Sequence, residues 1–397
     1  MNLIQDMDID NKRVILRCDF NVPIKDNKIL DDYKIRESLQ TIKYIMDHNS
    51  SVIILSHLGK IKKEEDKLKN SLEIVAIRLQ ELLSSNVKFS KQTRSTALDE
   101  LVNTLKPRDV LLLENTRFED LPNKLESGCD AQLSSYWAEL GDVFIMDAFG
   151  SSHRRHASTY GISKYLPTGI GFLIQKELKA LNDYVLNPDH PFTIMMGGAK
   201  IDDKLDLMNK LLPKCDKMLL SGGLANTCLK VLGFNVGNSI VSDNSEILNK
   251  VKEMLVTYKD KISLPYDVIV TNTYDDTFID QKGIEEVDSN EEIKDIGGKT
   301  IDEYKKIINN SKTIFVNGTC GIYEDIKFAN GTKEILRILA ESNANVIVGG
   351  GDGASAARNF GYANSFAYVS TGGGATLEYI INEKLAALED IEETEVL

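Results

Sequence analysis

Cysteine is scarce in this chain and never paired. Cys18, Cys129, Cys215, Cys228 and Cys320 are scattered with no C-x-x-C spacing, which excludes a disulfide framework or a zinc site read from sequence and leaves five reduced, mostly buried thiols. Positive charge is also in deficit. Against 60 Asp and Glu there are 47 Lys and Arg, a formal charge of −13, and such a surface argues against nucleic-acid or anionic-membrane partners. No apolar run approaches membrane-spanning length, and Met1 to Asp10 carries three aspartates without a basic n-region. A cytoplasmic protein with no membrane partner is therefore expected. Two phosphate-handling signatures are missing as well. Gly298-Lys299-Thr300 lacks the glycine five residues before Gly298 that a P-loop needs, and Asp147-Ala148-Phe149-Gly150 is not D-F-G.

Glycine, by contrast, is present in ordinary number, 27 residues, but is concentrated after apolar runs. Val346-Ile347-Val348 is followed by Gly349, Gly350, Gly351, Asp352 and Gly353, and Tyr368-Val369-Ser370 by Gly372, Gly373 and Gly374. A strand ending in consecutive glycines that turn into a helix, here from Ala354 to Asn359, aims backbone N–H groups and a helix dipole at an anion. Asp352 offers a hard oxygen of the kind Mg²⁺ takes. These features predict a Mg-nucleotide site in the C-terminal half. Gly349, Gly351 and Ala354 also fit G-x-G-x-x-A, but a dinucleotide reading needs a carboxylate at the end of the next strand. That strand ends at Ser370 and Thr371, and the next carboxylate is Glu378, inside the following helix.

Short β-branched runs alternate with helical patterns along the chain. Arg13–Arg17, Val52–Leu55, Val87–Phe89, Val110–Leu113 and Val143–Met146 read as buried strands in the first half; Thr193–Met196, Lys217–Leu220, Val268–Val270, Ile314–Val316, Val346–Val348 and Phe366–Val369 repeat the theme in the second. Continuous apolar strands between helices mean parallel sheets covered on both faces. The fold class is thus α/β, with two doubly wound, Rossmann-like parallel-sheet domains joined by a helix. The divider is the helical stretch 172–187, stopped by Pro188 and Pro191, which leaves an N-terminal domain over 1–171 and a C-terminal one over 188–379. The acidic tail Glu389 to Glu395 reads as a solvated end.

Ligands of open parallel sheets bind outside the carboxyl ends of the strands. In the first half those ends deliver Asp19 and Asn21, His57 and Lys60, Asn115 and Arg117, then His153, Arg154 and His156, which together make a basic pocket for a small anion. With no third zinc-type ligand near His153-x-x-His156, one substrate contact and one packed imidazole is the simpler reading. In the second half the ends carry Gly197-Gly198-Ala199-Lys200 with Lys204 one turn on, Gly222-Gly223, and Asn317-Gly318 with Glu324. Lys200 and Lys204, read as lying on one helix face, both reach a phosphate. The two halves suggest phosphoryl transfer between a small anion and a nucleotide.

Along essentially its whole length the chain resembles phosphoglycerate kinases. The resemblance rests on Arg13-Val-Ile-Leu-Arg-Cys-Asp-Phe-Asn-Val-Pro23, Ser56-His-Leu-Gly59, Leu113-Glu-Asn-Thr-Arg-Phe118, Asp147-Ala-Phe-Gly-Ser-Ser-His-Arg154, Gly197-Gly-Ala-Lys200, Val348-Gly-Gly-Gly-Asp352 and Ser370-Thr-Gly-Gly-Gly-Ala375, in the family's order. It implies reversible transfer of the acyl phosphate of 1,3-bisphosphoglycerate to Mg-ADP, hinge closure of two domains, a monomer, and residues 380–397 packing back on the N-terminal domain. Carried over position by position, it implies phosphoglycerate contacts at Asp19, Asn21, Lys34, His57, Lys60, Arg117 and Arg154. Nucleotide contacts are implied at Lys200, Lys204, Gly297, Asn317, Glu324, Gly350, Gly351, Asp352 and Gly353, with Asp352 beside Mg²⁺. Lys204 would span to the transferring phosphoryl group, with Lys34 and the N–H groups of the Gly372–Gly374 turn, Gly373 and Gly374 among them, around it.

The chain also departs from the family's pattern. Lys34 and Lys60 stand where arginines are usual, Gly353 where a threonine is, Thr319-Cys320 where Pro-Val is, and Val316 where a tryptophan is. Two guanidinium forks thereby become point charges. Beside a working kinase, the sequence leaves two other classes open: a catalytically weakened relative acting as a nucleotide-binding interaction protein, and a nicotinamide dehydrogenase, which would have to prefer NADH to ATP.

Overall fold

A computed structural model describes residues 1–272 and 275–391. The chain separates into two compact units: the first holds Met1–Lys179 and the described residues from Asn382 onward, the second Ala180–Ile381. Among the described residues no helix is long and apolar enough to cross a membrane.

The first unit is built on six parallel strands: β1 (Arg13–Cys18), β2 (Ser51–Leu55), β3 (Val87–Ser90), β4 (Val110–Leu113), β5 (Val143–Asp147) and β6 (Thr168–Ile170), in the order β3-β4-β2-β1-β5-β6. β2, β4 and β5 are buried at every position, as strands covered by helices on both faces must be. The helix Tyr33–Asp47 shows how cover is achieved. It buries Ile35, Ile42, Ile45 and Met46, spaced to share one face, against a core that includes Val14, Leu16, Val52 and Ile54, and each such aliphatic burial stabilises by roughly 1.5–3 kcal/mol.

The second unit repeats the plan. Its strands β7 (Phe192–Met196), β8 (Lys217–Leu220), β9 (Ile262–Ser263), β13 (Thr313–Asn317), β14 (Asn345–Gly349) and β15 (Tyr368–Val369) form a parallel sheet in the order β9-β8-β7-β13-β14-β15. Between β9 and β13 lies a separate antiparallel sheet of β10 (Asp267–Asn272), β11 (Asp275–Gly283) and β12 (Glu291–Ile296), with β10 in the middle. The expected parallel strand Val268–Val270 is therefore antiparallel and belongs to another sheet. Its apolar triplet buries Val268 and Val270 against Val287 in a small core of its own, and three residues do not reveal which sheet they join. The expected strand Phe366–Val369 shrinks to β15, with Phe366 packed into the main core instead.

The connecting segment begins as the helix Phe172–Leu181 and loosens into a π turn over Asn182–Leu186. Its start is held by Asp147, the last residue of β5, whose Oδ1 accepts the N–H groups of Leu173 at 2.9 Å and Ile174 at 3.1 Å. Of the tail expected to be solvated, Glu389 is ion-paired with Arg155; Glu392 to Glu395 lie outside the described residues. The described part of 380–397, from Asn382 on, packs on the first unit, with Leu385, Ala387, Leu388 and Ile391 buried and the Ala387 N–H donating to Ser152 O at 2.8 Å.

Candidate active site

In the first unit the strands run parallel, so the loops leaving β1, β2, β4 and β5 share one edge. Asp19 comes directly after β1 and is 3% exposed; its Oδ2 accepts from Lys34 Nζ at 2.7 Å and its Oδ1 from the Asn21 N–H at 3.1 Å. Burial alone would raise this carboxyl, but the Lys34 ammonium overrides it and brings it to about 2. A cationic His57 would help in the same direction, yet burial and the neighbouring Arg17 push the His57 ring well below its ordinary value, so Lys34 is the counter-charge. Asn21 Oδ1 accepts from the Gly59 N–H at 2.9 Å, which ties the β1 loop to the β2 loop.

Asn115, after β4, makes four hydrogen bonds within the protein: to Leu58 O and Asn70 O through its amide, and from the N–H groups of Leu58 and Arg117 through Oδ1. It holds the loops in place and has little left for a ligand. Arg117 is 8% exposed, donates from one NH to Gly59 O at 2.8 Å, and keeps a buried Nε with no partner among the described residues. A buried guanidinium with a spare donor is suited to an anion. Arg154 and Lys60 are exposed, and Arg154 Nε donates to His153 Nε2 at 2.9 Å. Burial and the adjacent arginines lower His153 and hold His156 at about 3. The positive charge of this edge thus comes from Lys34, Lys60, Arg117, Arg154 and Arg17, and none of it from histidine.

Arg17 was not identified from the sequence. It lies inside β1, fully buried, in a run whose apolar neighbours signal core. Glu126 and Ser158, fully buried beside it, carry no motif of their own. A charged residue inside an otherwise apolar strand is the one signal that points to Arg17.

In the second unit the glycine turns leave β7, β8, β13, β14 and β15 at one edge. Gly198, Gly318 and Gly350 have φ of +118°, +93° and +86°, a region that glycine alone enters freely. They let three loops interlock: a Cβ on Gly350 would lie 2.6 Å from Asn317 Nδ2, and one on Gly318 2.9 Å from Lys204 Nζ. Lys204 Nζ donates to Gly197 O at 2.6 Å and Asn317 O at 3.4 Å, and burial draws it down to about 8 despite Asp352 and Asp203 nearby. Asn317 is 1% exposed, donates to Gly349 O at 3.1 Å, and keeps an Oδ1 without a partner among the described residues. Gly350 caps the helix Gly351–Asn359, whose first turn carries Asp352. Ala199, Gly223, Asn226, Ile240, Glu324 and Asp352 help to line a cavity at this edge, with the ion pair Lys294–Glu292 in its wall.

Lys204, Asn317, Gly350 and Asp352 are therefore gathered, and Glu324 faces the same cavity. Two expectations shift. Lys200 and Lys204 do not share a helix face, because residues 202–204 form a turn and the helix starts only at Leu205, with Lys204 as its cap; Lys200 is exposed. Gly297 does not line the cavity. It caps the helix Gly298–Asn309, donates its N–H to Asp267 O, and a Cβ there would strike the Asp267 carboxyl at 2.3 Å. Gly353 is buried with space for a Cβ only 3.2 Å from Gly318 O, whereas Gly351, Gly373 and Gly374 face open space.

Residues 4–383 match the sequence profile of the family described as phosphoglycerate kinase. The chain belongs to the phosphoglycerate kinase family. Curated phosphoglycerate kinases of Macrococcus caseolyticus and Fusobacterium nucleatum are each 44% identical to it, over 391 and 394 residues and 98% of both chains. The solved phosphoglycerate kinase of Coxiella burnetii superposes with a TM-score of 0.84 at 34% identity, covering 99% of each chain, and that of Pyrococcus horikoshii with 0.85 at 29%, covering 99% and 98%.

Proposed function

We propose that this chain transfers the acyl phosphate of 1,3-bisphosphoglycerate to ADP, reversibly, giving 3-phosphoglycerate and ATP. Lys204 carries this reading. Its ammonium is largely withdrawn from water and held by two carbonyl oxygens; among the described residues no ion pair involves it, and the nearby Asp352 and Asp203 do not make up for its burial, so an anionic group arriving at the glycine turns would complete its neutralisation. We assign phosphoglycerate to the first unit, at Asp19, Asn21, Lys34, His57, Lys60, Arg117 and Arg154, and the nucleotide to the second, at Lys204, Asn317, Glu324 and Gly350 to Gly353, with Lys200 and Gly297 as flanking positions.

In the synthetic direction an oxygen of the ADP β-phosphate attacks the acyl phosphorus in line, the bond from phosphorus to the carboxyl oxygen breaks, and that oxygen leaves as the carboxylate of 3-phosphoglycerate. No protein nucleophile is consumed; the protein positions both partners and neutralises the moving charge. Lys204 and the N–H groups around Gly373 and Gly374 face the phosphoryl group from the nucleotide side. Lys34, locked on Asp19, and Arg117 hold the triose end. Hinge closure about the helix Phe172–Leu181 brings the two ligands together. The Asp352 carboxylate, exposed in a helix's first turn, and the unpartnered Asn317 Oδ1 are hard oxygens that fit a Mg²⁺ sharing its shell with substrate phosphates. Bound there, the ion would neutralise phosphate charge.

A coupled assay on the pure protein, with 3-phosphoglycerate, ATP and Mg²⁺ and NADH oxidation by an added dehydrogenase as readout, tests this. Turnover that needs both substrates supports it. Tight nucleotide binding without turnover would favour the weakened relative.

A further inference from the structure

We infer that Arg17 is a positioning residue that fixes His57 as a neutral imidazole with its proton on Nε2, so that the phosphoglycerate pocket meets its ligand there with a directional N–H donor and not with a charge.

The geometry leaves little choice. Arg17 NH2 lies 3.2 Å from His57 Nδ1. A guanidinium has five N–H donors and no acceptor, so Nδ1 must be the acceptor and the ring proton must sit on Nε2. The guanidinium itself cannot turn away, because its other edges are engaged. Its Nε donates to Ser158 Oγ at 2.8 Å and its NH1 to Cys18 O. Ser158 donates its own hydroxyl proton to Glu126 Oε1, and its N–H donates to Glu126 Oε2 at 2.9 Å. Arg17 thus donates at both ends of this chain, to His57 on one side and through Ser158 toward the buried Glu126 carboxyl on the other, and Arg17 and Glu126 are each 0% exposed. Because a guanidinium can only donate, its bond to His57 cannot invert.

The other groups that face His57 are Asp19 after β1, Lys34 on the helix Tyr33–Asp47, and Arg117 after β4. Two cations besides Arg17 oppose an imidazolium there, and Asp19, the anion that would favour one, is already paired with Lys34. His57 is 8% exposed, and among the described residues no hydrogen bond of its Nε2 is present. That atom is the donor left over for an oxygen of the ligand. The inference rests on the proposed phosphoglycerate site for its ligand, but not for the tautomer.

The test uses ¹⁵N-histidine-labelled wild-type protein and long-range ¹H–¹⁵N spectra between pH 5.5 and 8. His57 is expected to show an unprotonated Nδ1 and a protonated Nε2 throughout, where a free imidazole titrates near about 6.5. A protonated Nδ1, or a titration near that value, overturns the inference without any variant. In Arg17→Met the two tautomers should mix, the titration should return toward the ordinary value, and the KM for 3-phosphoglycerate should rise about tenfold with the nucleotide KM unchanged. Arg17→Lys, keeping a donor, should restore part of the fixed tautomer. An unchanged tautomer in folded Arg17→Met overturns the inference. Added 3-phosphoglycerate should shift the Nε2 proton. If the tautomer is as described but this ligand moves no His57 resonance, the phosphoglycerate assignment of the pocket fails while the role of Arg17 stands.

Discussion

Replacing Lys34 by methionine removes the counter-charge of a buried carboxylate and keeps most of the side chain's volume. Asp19 ionises at about 2 in the folded protein against an ordinary 3.8, a gap worth about 2 kcal/mol at neutral pH, since each pKa unit is roughly 1.36 kcal/mol. The group is 3% exposed, so solvent screening is small, while Lys34 at 28% keeps the figure below that of a fully buried pair. For a domain of this size about 2 kcal/mol corresponds to roughly 4–8 °C in the melting temperature of the first unit. The sign is set by the direction of the shift. Because the folded value is depressed, the contribution is complete above the unfolded value near 4 and is lost as the pH falls through about 2. Calorimetry of wild type and Lys34→Met at pH 7 and pH 3 should therefore show the full gap at pH 7 and roughly half of it at pH 3. A gap that does not narrow, or that is absent at pH 7, would show that Asp19 is ionised without help from Lys34.

Lys34→Arg keeps the ion pair and adds a second donor edge toward the triose; kcat is expected to rise, by up to about tenfold, with little change in either KM, and a fall would mean that the lysine's smaller head is required. Asp352→Ala should weaken Mg-ADP binding and lower turnover at least about tenfold while leaving 3-phosphoglycerate affinity intact in calorimetric titration; equal loss of both ligands would make Asp352 a support of the fold. Arg154→Ala should raise the KM for 3-phosphoglycerate, an effect that added sulfate partly mimics in wild type, and a changed nucleotide KM instead would reverse the assignment of the two units. Since burial depresses Lys204 to about 8, its cationic form is lost as the pH rises through that value. ADP binding to the free enzyme should weaken over the same range, and the same alkaline loss in Lys204→Ala would point to another group.

The strand ends were legible because a fully buried parallel strand leaves an apolar run in the sequence, and the residues just after such a run must lie at the sheet's edge. Asp19, His57, Arg117, Asp352 and the glycine turns come from that one regularity. It failed where the local signal was too short or reversed. The triplet at Val268 does not say whether its partners are parallel, and Lys204 lies before its helix because residues 202–204 form a turn. Asn115 illustrates a different limit. Its type and place suggest a ligand contact, while its four internal hydrogen bonds show that it braces two loops. Arg17 shows the converse, a charge hidden by its apolar neighbours, whose use depends on Ser158 and Glu126, more than a hundred residues away in sequence.

The chain enters and leaves the second unit at residues that lie side by side. Tyr379 Oη donates to Asn182 Oδ1 at 3.0 Å across a separation of 197 residues. Bringing two such points together in an unfolded chain costs about 5 kcal/mol of loop-closure entropy, and in this protein that cost falls on the contiguous second unit as it folds. Once it has folded, the residues from Asn382 onward are delivered beside the connecting segment instead of trailing on a loop of roughly two hundred residues. The first unit needs them: Glu389 reaches Arg155 across 234 residues of sequence. Residues near the end of the chain thus complete the core of the unit that begins it, and the closure of Tyr379 on Asn182 shortens the loop over which they must be brought back.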